Sequence, residues 1–136
     1  MFDRKLAKLI ESPKLPWSRE GINDLPKQNG VYVFARNDKY LYVGSSRNIY
    51  DRVVNHHWTK NNSALLSNLE EFFNTFYLDK LMSLDDYLKD CYIQYIVVDF
   101  GRAEIEDYII ETCNPILNNF RQNMRKIYES IDRDRS

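Results

Sequence analysis

The stretch from Gly30 to His56 limits what this chain can become more than any other. Val31, Val33 and Ala35 alternate with Tyr32, Phe34 and Arg36, the period of two that assigns one set to each face of a strand. Asn37-Asp38 breaks the alternation, and a second run from Tyr40 to Val43 follows at once. The spacing predicts two antiparallel strands closed by an Asn-Asp turn. Gly44, Ser45 and Ser46 end the second strand. From about Asn48 the apolar period becomes helical, with Ile49, Val53 and Val54 on one side, Asn48 as N-cap and Asp51 in the first turn.

The polar residues of this unit fall into a pattern. An antiparallel hairpin brings Tyr32 and Tyr42 near each other on one face, and Arg52 and His56, four apart, share one face of an α-helix. Two phenols, a guanidinium and an imidazole at the end of one hairpin suit phosphate chemistry. Arg presents a planar fork to phosphate oxygens, and a phenol or imidazole passes a proton. Each residue alone has a plainer reading, since the chain has ten tyrosines and Arg52 by itself is a surface helix residue. The adjacent His56 and His57 point apart on a helix and have no third ligand at a suitable spacing, which argues against zinc.

Gly30-Val31-Tyr32, then Tyr42-Val43-Gly44, then Arg52 and His56 resemble the GIY-YIG nuclease family. Glu106, Pro115 and Asn118 match the family's later Glu and its Pro-x-x-Asn. The family includes the bacterial excision-repair nuclease subunit, structure-specific endonucleases, restriction enzymes and homing endonucleases. The resemblance runs from Gly30 to Asn118, except for roughly residues 58–90. It implies an α+β fold with a small three-stranded antiparallel sheet flanked by helices, and an endonuclease that uses Mg²⁺ or Mn²⁺. It also implies a site in which Tyr32, Tyr42, Arg52, His56 and Glu106 are catalytic, with Glu106 as the metal ligand and Gly30, Gly44 and Asn118 as supports. Ser45 departs from the pattern, because many repair and restriction relatives carry Lys there; its absence slows catalysis or shifts the duty to Arg47.

A chain of 136 residues is one domain, and a composition 43% hydrophobic and 14% aromatic is that of a folded one. A net charge of −1 excludes a strongly basic nucleic-acid coat, so DNA contact must come from a local patch. For that patch the candidates are Ser45, Arg47 and Lys60, with Trp58, Asn61 and Asn62 beside them and Arg121, Arg125 and Lys126 as a further basic edge. Cys91 and Cys113 match no metal or redox spacing and read as reduced thiols. No apolar run approaches a membrane span and the first residues are too charged for a leader, so the expectation is a cytoplasmic protein with no membrane partner. The sequence gives no oligomeric state.

Residues 2–11 read as an amphipathic helix with Phe2, Leu6, Leu9 and Ile10 on one face, ended by Pro13 and Pro16. Trp17, Ile22 and Leu25 are expected to pack on the sheet. Ser63 caps a helix through about Phe76, and Ser83 with Asp86 forms a capping box; these helices make up an insertion at about 58–90. Cys91 to Phe100 is the third and most apolar strand. Arg102 to Cys113 is a helix on which Glu106 falls among Ile109, Ile110 and Cys113, and a carboxylate there is costly unless paired or bound to a cation. A last helix starts near Asn119 and frays after about Tyr128. The division is therefore 1–29 as lead-in, 30–118 as the nuclease-like domain and 119–136 as tail. Two rivals to catalysis are a silent nucleic-acid-binding module on the same fold and a protein-interaction domain using Phe72 to Tyr77.

Overall fold

The hairpin forms as the alternation requires. In the computed structural model, which describes residues 2–59, 63–77 and 81–135, β2 (Gly30–Arg36) and β3 (Lys39–Ser46) pair antiparallel. Asn37 and Asp38 both have positive φ, 52° and 62°, the signature of a type I′ turn whose twist matches that of the strands. The register places Tyr32 opposite Gly44 and Phe34 opposite Tyr42, then shifts so that Ala35 faces Tyr40. Leu41 is the extra residue of this β-bulge. Asp51 to Trp58 is not an α-helix as expected but a π-helix. The helical turn leading into it starts at Ile49, and Asn48 stands before that turn with its side-chain oxygen accepting from the Asp51 amide at 2.9 Å.

The α+β class stands, and the sheet has one strand more than expected. The order is β1-β4-β2-β3, with β1 (Leu15–Pro16) added to β4 (Cys91–Val97). Two residues beside a proline carry no periodicity, so nothing in the sequence marks β1. β4 stops at Val97, short of Phe100, which is exposed. Helices cover both faces. The face bearing Tyr32 and Phe34 packs on Ile49, Val53 and Val54, and on α3 (Ala64–Phe76), α4 (Leu84–Leu88) and α6 (Phe120–Arg135) through Leu65, Leu69, Phe73, Tyr87, Phe120 and Met124. The opposite face, Val31, Val33 and Val43, packs on Leu9 of α1 (Phe2–Glu11) and on Ile105 and Ile109 of α5 (Arg102–Cys113). Trp17, Ile22 and Leu25 join the first core as expected, with Ile22 ending the short α2 (Arg19–Ile22). Ile10 does not join its helix's apolar face: it is exposed. α6 runs to Arg135 without the expected break at Tyr128.

Strand β3 lies at the edge of the sheet, where unpaired backbone groups invite other strands. Part of that edge is closed by the loop after α5. Leu117 N–H donates to Leu41 O at 2.9 Å, and the Asn118 amide pairs with both backbone groups of Val43, at 2.8 Å and 2.9 Å. Asn118 thus acts as one residue of a fifth strand, stopping just before Gly44. Replacing it with alanine leaves the N–H and C=O of fully buried Val43 unpaired. The Asn118→Ala chain is expected to lose about 1–3 kcal/mol of stability, read as a lower urea midpoint with an unchanged m-value; a midpoint equal to wild type contradicts the pairing.

Candidate active site

Gly44 is where the two faces of the sheet communicate. It stands opposite Tyr32 on the edge strand, and an added Cβ would meet the Tyr32 ring and hydroxyl at 2.5 Å. Only glycine lets the phenol lie across β3 and deliver its oxygen to the edge. Gly30 is held by a similar constraint, since a Cβ there would meet Ile96 O at 2.2 Å and Ile49 at 2.7 Å.

Around the Tyr32 hydroxyl the structure gathers an aromatic and cationic cluster. The rings of Tyr32 and Tyr42 lie 6.4 Å apart, and each lies 5.7 Å from the ring of His57. Tyr32 Oη is 2.7 Å from His57 Nε2, and Arg52 stands near enough to favour the ionised phenol. Burial raises Tyr32 far above the ordinary phenol range; the neighbouring Tyr42 adds to this, and the Arg52 charge opposes it. Tyr42, half-buried, is also raised by burial, with Arg52 again opposing. His57 is pushed down to about 3, first by burial and then by the charges of Arg52 and His56.

The histidine bonded to Tyr32 is His57, a residue the sequence did not place at the site. A π-helix repeats its hydrogen bonds at five residues and not four, and this wider turn brings His57 as well as His56 within reach of the Arg52 charge. The same repeat sets His56 toward Asp51, five before it, with Nε2 and Oδ2 3.7 Å apart. Among the described residues, buried His56 Nδ1 has no hydrogen-bond partner.

Glu106 arrives from the other face. It follows Ile105 on α5, which packs on Val31, Val33 and Val43, and Ser45, opposite Val31, points to that same side. The Ser45 hydroxyl lies near enough to the Glu106 carboxylate to favour its charged form. That carboxyl is raised by burial, with the Ser45 bond and the Arg102 charge pulling the other way. Its charge acts on both Tyr32 and Tyr42, so the carboxyl lies within electrostatic reach of both phenols. Arg102 was not singled out from the sequence, although its spacing of four before Glu106 is a readable signal. It also donates to Asn29 Oδ1 at 2.5 Å, and Asn29 ties to Val98 O at 2.7 Å.

The remaining candidates divide. Ser45 is at the site, Arg47 is an exposed residue just beyond β3, and Lys60, with Asn61 and Asn62, lies outside the described residues. Trp58 packs on Trp17 at 5.3 Å, and Arg121 pairs with Glu71 at 2.8 Å. Among the described residues no cluster of three His, Cys, Asp or Glu side chains could hold a metal, and no helix is long and apolar enough to cross a membrane.

The family model for the GIY-YIG catalytic domain matches residues 28–123. The chain belongs to the GIY-YIG family. Two solved point mutants of the GIY-YIG N-terminal endonuclease domain of UvrC from Thermotoga maritima, each bound to its catalytic divalent cation, share this fold. One, a Tyr-to-Phe mutant, has a TM-score of 0.51 at 17% identity, covering 73% of this chain and 92% of that domain. The other, an Asn-to-Ala mutant, has 0.51 at 18%, covering 73% and 91%. The UvrABC system protein C of Fusobacterium nucleatum is 36% identical over 58 residues, which is 38% of this chain and 10% of that relative. This GIY-YIG nuclease domain thus matches only about a tenth of that relative's length.

The low value of His57 has a consequence for stability. In the unfolded chain a histidine titrates near 6.5 and in the folded chain His57 does so at about 3, so between these values the unfolded state binds more protons. Stability is full above about pH 6.5 and falls by up to about 1.4 kcal/mol per pH unit as pH drops below it. In urea titrations at pH 7 and pH 5, wild type is expected to lose more stability than His57→Gln; equal losses contradict a buried neutral imidazole.

Proposed function

We propose that this chain is a divalent-cation-dependent endonuclease that hydrolyses phosphodiester bonds in DNA, in repair, recombination or restriction. The observation that carries the reading is the meeting of Tyr32, Tyr42 and Arg52 from one face of the sheet with Glu106 from the other, at the Gly44 gap in an edge strand. The endonuclease domains of similar fold, each bound to a catalytic divalent cation, support the same class of chemistry.

Glu106 is the residue that would hold the ion. A half-buried carboxylate raised by desolvation gains from a cation, and its neighbours are hydroxyl oxygens, a hard donor set that favours Mg²⁺ or Mn²⁺ over softer metals. When bound, the ion supplies positive charge at the phosphate and leaving oxygen. Tyr32, once its own proton has passed to solvent, would accept the proton of the attacking water as the phenolate. Burial keeps this phenol protonated until positive charge stands beside it, and Arg52 provides part of that charge. Tyr42, at the same edge, orients water or phosphate. Arg52 neutralises the charge that builds on the five-coordinate phosphorus. Ser45, where relatives often place a lysine, favours the charged form of the Glu106 carboxylate. His56, four after Arg52, would donate a hydrogen bond or proton at the phosphate, while His57 holds the Tyr32 oxygen.

A supercoiled-plasmid nicking assay with Mg²⁺ separates this from a silent binding module. Wild type is expected to nick and to stop on EDTA addition. Tyr32→Phe and Arg52→Ala are each expected to be slower by about 10²–10⁴-fold, and Glu106→Ala to be inactive with its melting temperature unchanged or higher. Nicking that survives all three substitutions overturns the site. Salt-dependent DNA binding without nicking by wild type favours the silent module.

A further inference from the structure

Lys14, Arg36, Lys89 and Arg121 each lie within 3.2 Å of a carboxylate. Arg102, the first residue of α5, is held differently. Among the described residues no carboxylate stands at ion-pair distance from it, and a neutral amide takes that place. Arg102 Nη1 donates to Asn29 Oδ1 at 2.5 Å, while Asn29 Nδ2 donates to Val98 O at 2.7 Å. A guanidinium only donates and a carbonyl only accepts, so one orientation of the Asn29 amide satisfies both. The Val98 N–H also donates to Asn29 O at 3.0 Å, which fastens Asn29 to the chain beside it. Arg102 is thereby placed without being neutralised, and the rest of its fork of N–H donors is left for another acceptor.

Its position relative to the site follows from the register and from helix geometry. Gly30 pairs with Ser46 on one side and Val97 on the other, so Asn29, one residue earlier, stands between Arg47 and Val98 just past the end of the ladder. Arg102 therefore shares that end of the sheet with Arg47, which is exposed and two residues from Ser45. On α5, Glu106 lies four residues after Arg102 and on the same face, whereas Glu104 and Asp107 fall on the opposite side of the helix. The Arg102 charge is felt at the Glu106 carboxylate. Four residues of helix rise about 6 Å, and phosphates of one DNA strand recur about every 3.4 Å along its axis. A cation one turn from the carboxylate that would hold the ion is thus spaced for a phosphate near the scissile one.

We propose that Arg102, positioned by Asn29, binds the DNA backbone phosphate one or two nucleotides from the scissile bond, with Arg47 beside it at the same end of the sheet. A half-buried guanidinium held by a neutral amide keeps its full charge for such a contact, and phosphate oxygens match its planar fork. The contact supplies part of the local basic patch that a chain of net charge −1 needs in order to bind DNA. It rests on the nuclease reading for its substrate.

The test is the salt dependence of binding. Fluorescence anisotropy of a short labelled DNA duplex, measured in EDTA so that neither metal binding nor cleavage contributes, gives the slope of log Kd against log salt, and each phosphate neutralised contributes about 0.9 to it. Arg102→Gln is expected to lower the slope by about 1, and Arg102→Lys, which keeps the charge, to preserve it. If the guanidinium serves only to tie α5 to Asn29, both variants lose melting temperature alike while the slope stays at the wild-type value, and the proposal is overturned. Should Arg102→Gln fail to fold, Asn29→Asp is read in its place: it sets a carboxylate against Arg102 and is expected to lower the slope, and an unchanged slope overturns the proposal. In plasmid nicking with Mg²⁺, Arg102→Gln is expected to raise KM and leave kcat unchanged; a lower kcat with an unchanged slope makes Arg102 a support for Glu106 and overturns the phosphate contact. Wild type that binds with an Arg102-dependent slope yet nicks no DNA overturns the nuclease reading and upholds the contact, and wild type that neither binds nor nicks overturns both.

Discussion

A tyrosine lying across a glycine organises this molecule. The sheet has two cores, and a side chain on one face has no ordinary access to a group on the other. The edge position of β3 and the missing side chain at Gly44 open one passage between them. Tyr32 uses it from the core built on the π-helix and α3, and Glu106 approaches it from the core built on α5. Asn118 closes the edge up to Val43 and stops there, so the uncovered length of β3 begins at the residue where the phenol emerges.

This arrangement explains why the site tolerates groups that burial disfavours. The Tyr32 phenol and the Glu106 carboxyl are both raised by desolvation, and each has a compensating partner, Arg52 for one and Ser45 for the other. The unpaid part of that cost is what a cation and a phosphate bring. The neutral His57 serves the same economy: a second fixed positive charge beside Arg52 would be expensive, whereas a neutral ring supplies a hydrogen bond without one.

Much of this was legible in the chain itself. Period-two alternation gave the faces of β2, Asn37-Asp38 the turn, and the place of Glu106 inside an apolar arc singled it out among the acids of α5. The two tripeptides, Arg52, Glu106 and Pro-x-x-Asn carried the family. What stayed hidden has physical reasons. The π-helix has no composition signal, so nothing in the sequence showed that His57 would reach the Tyr32 hydroxyl. β1 is too short for any periodicity. The bonds of His57 to Tyr32 and to Ser63 span 25 and 6 residues, and no local pattern announces a contact made only after the insertion folds back on the sheet.

The central claim is that a carboxylate and two phenols from opposite faces meet where β3 is uncovered, forming a place for one hard divalent ion. Titrating Mn²⁺ into ¹⁵N-labelled chain tests it most directly, because a paramagnetic ion broadens the amides nearest to it. The account predicts early loss of the Gly44, Ser45 and Glu106 signals, abolished by Glu106→Gln. Broadening centred on Asp51 and His56, or a pattern indifferent to Glu106→Gln, would contradict it.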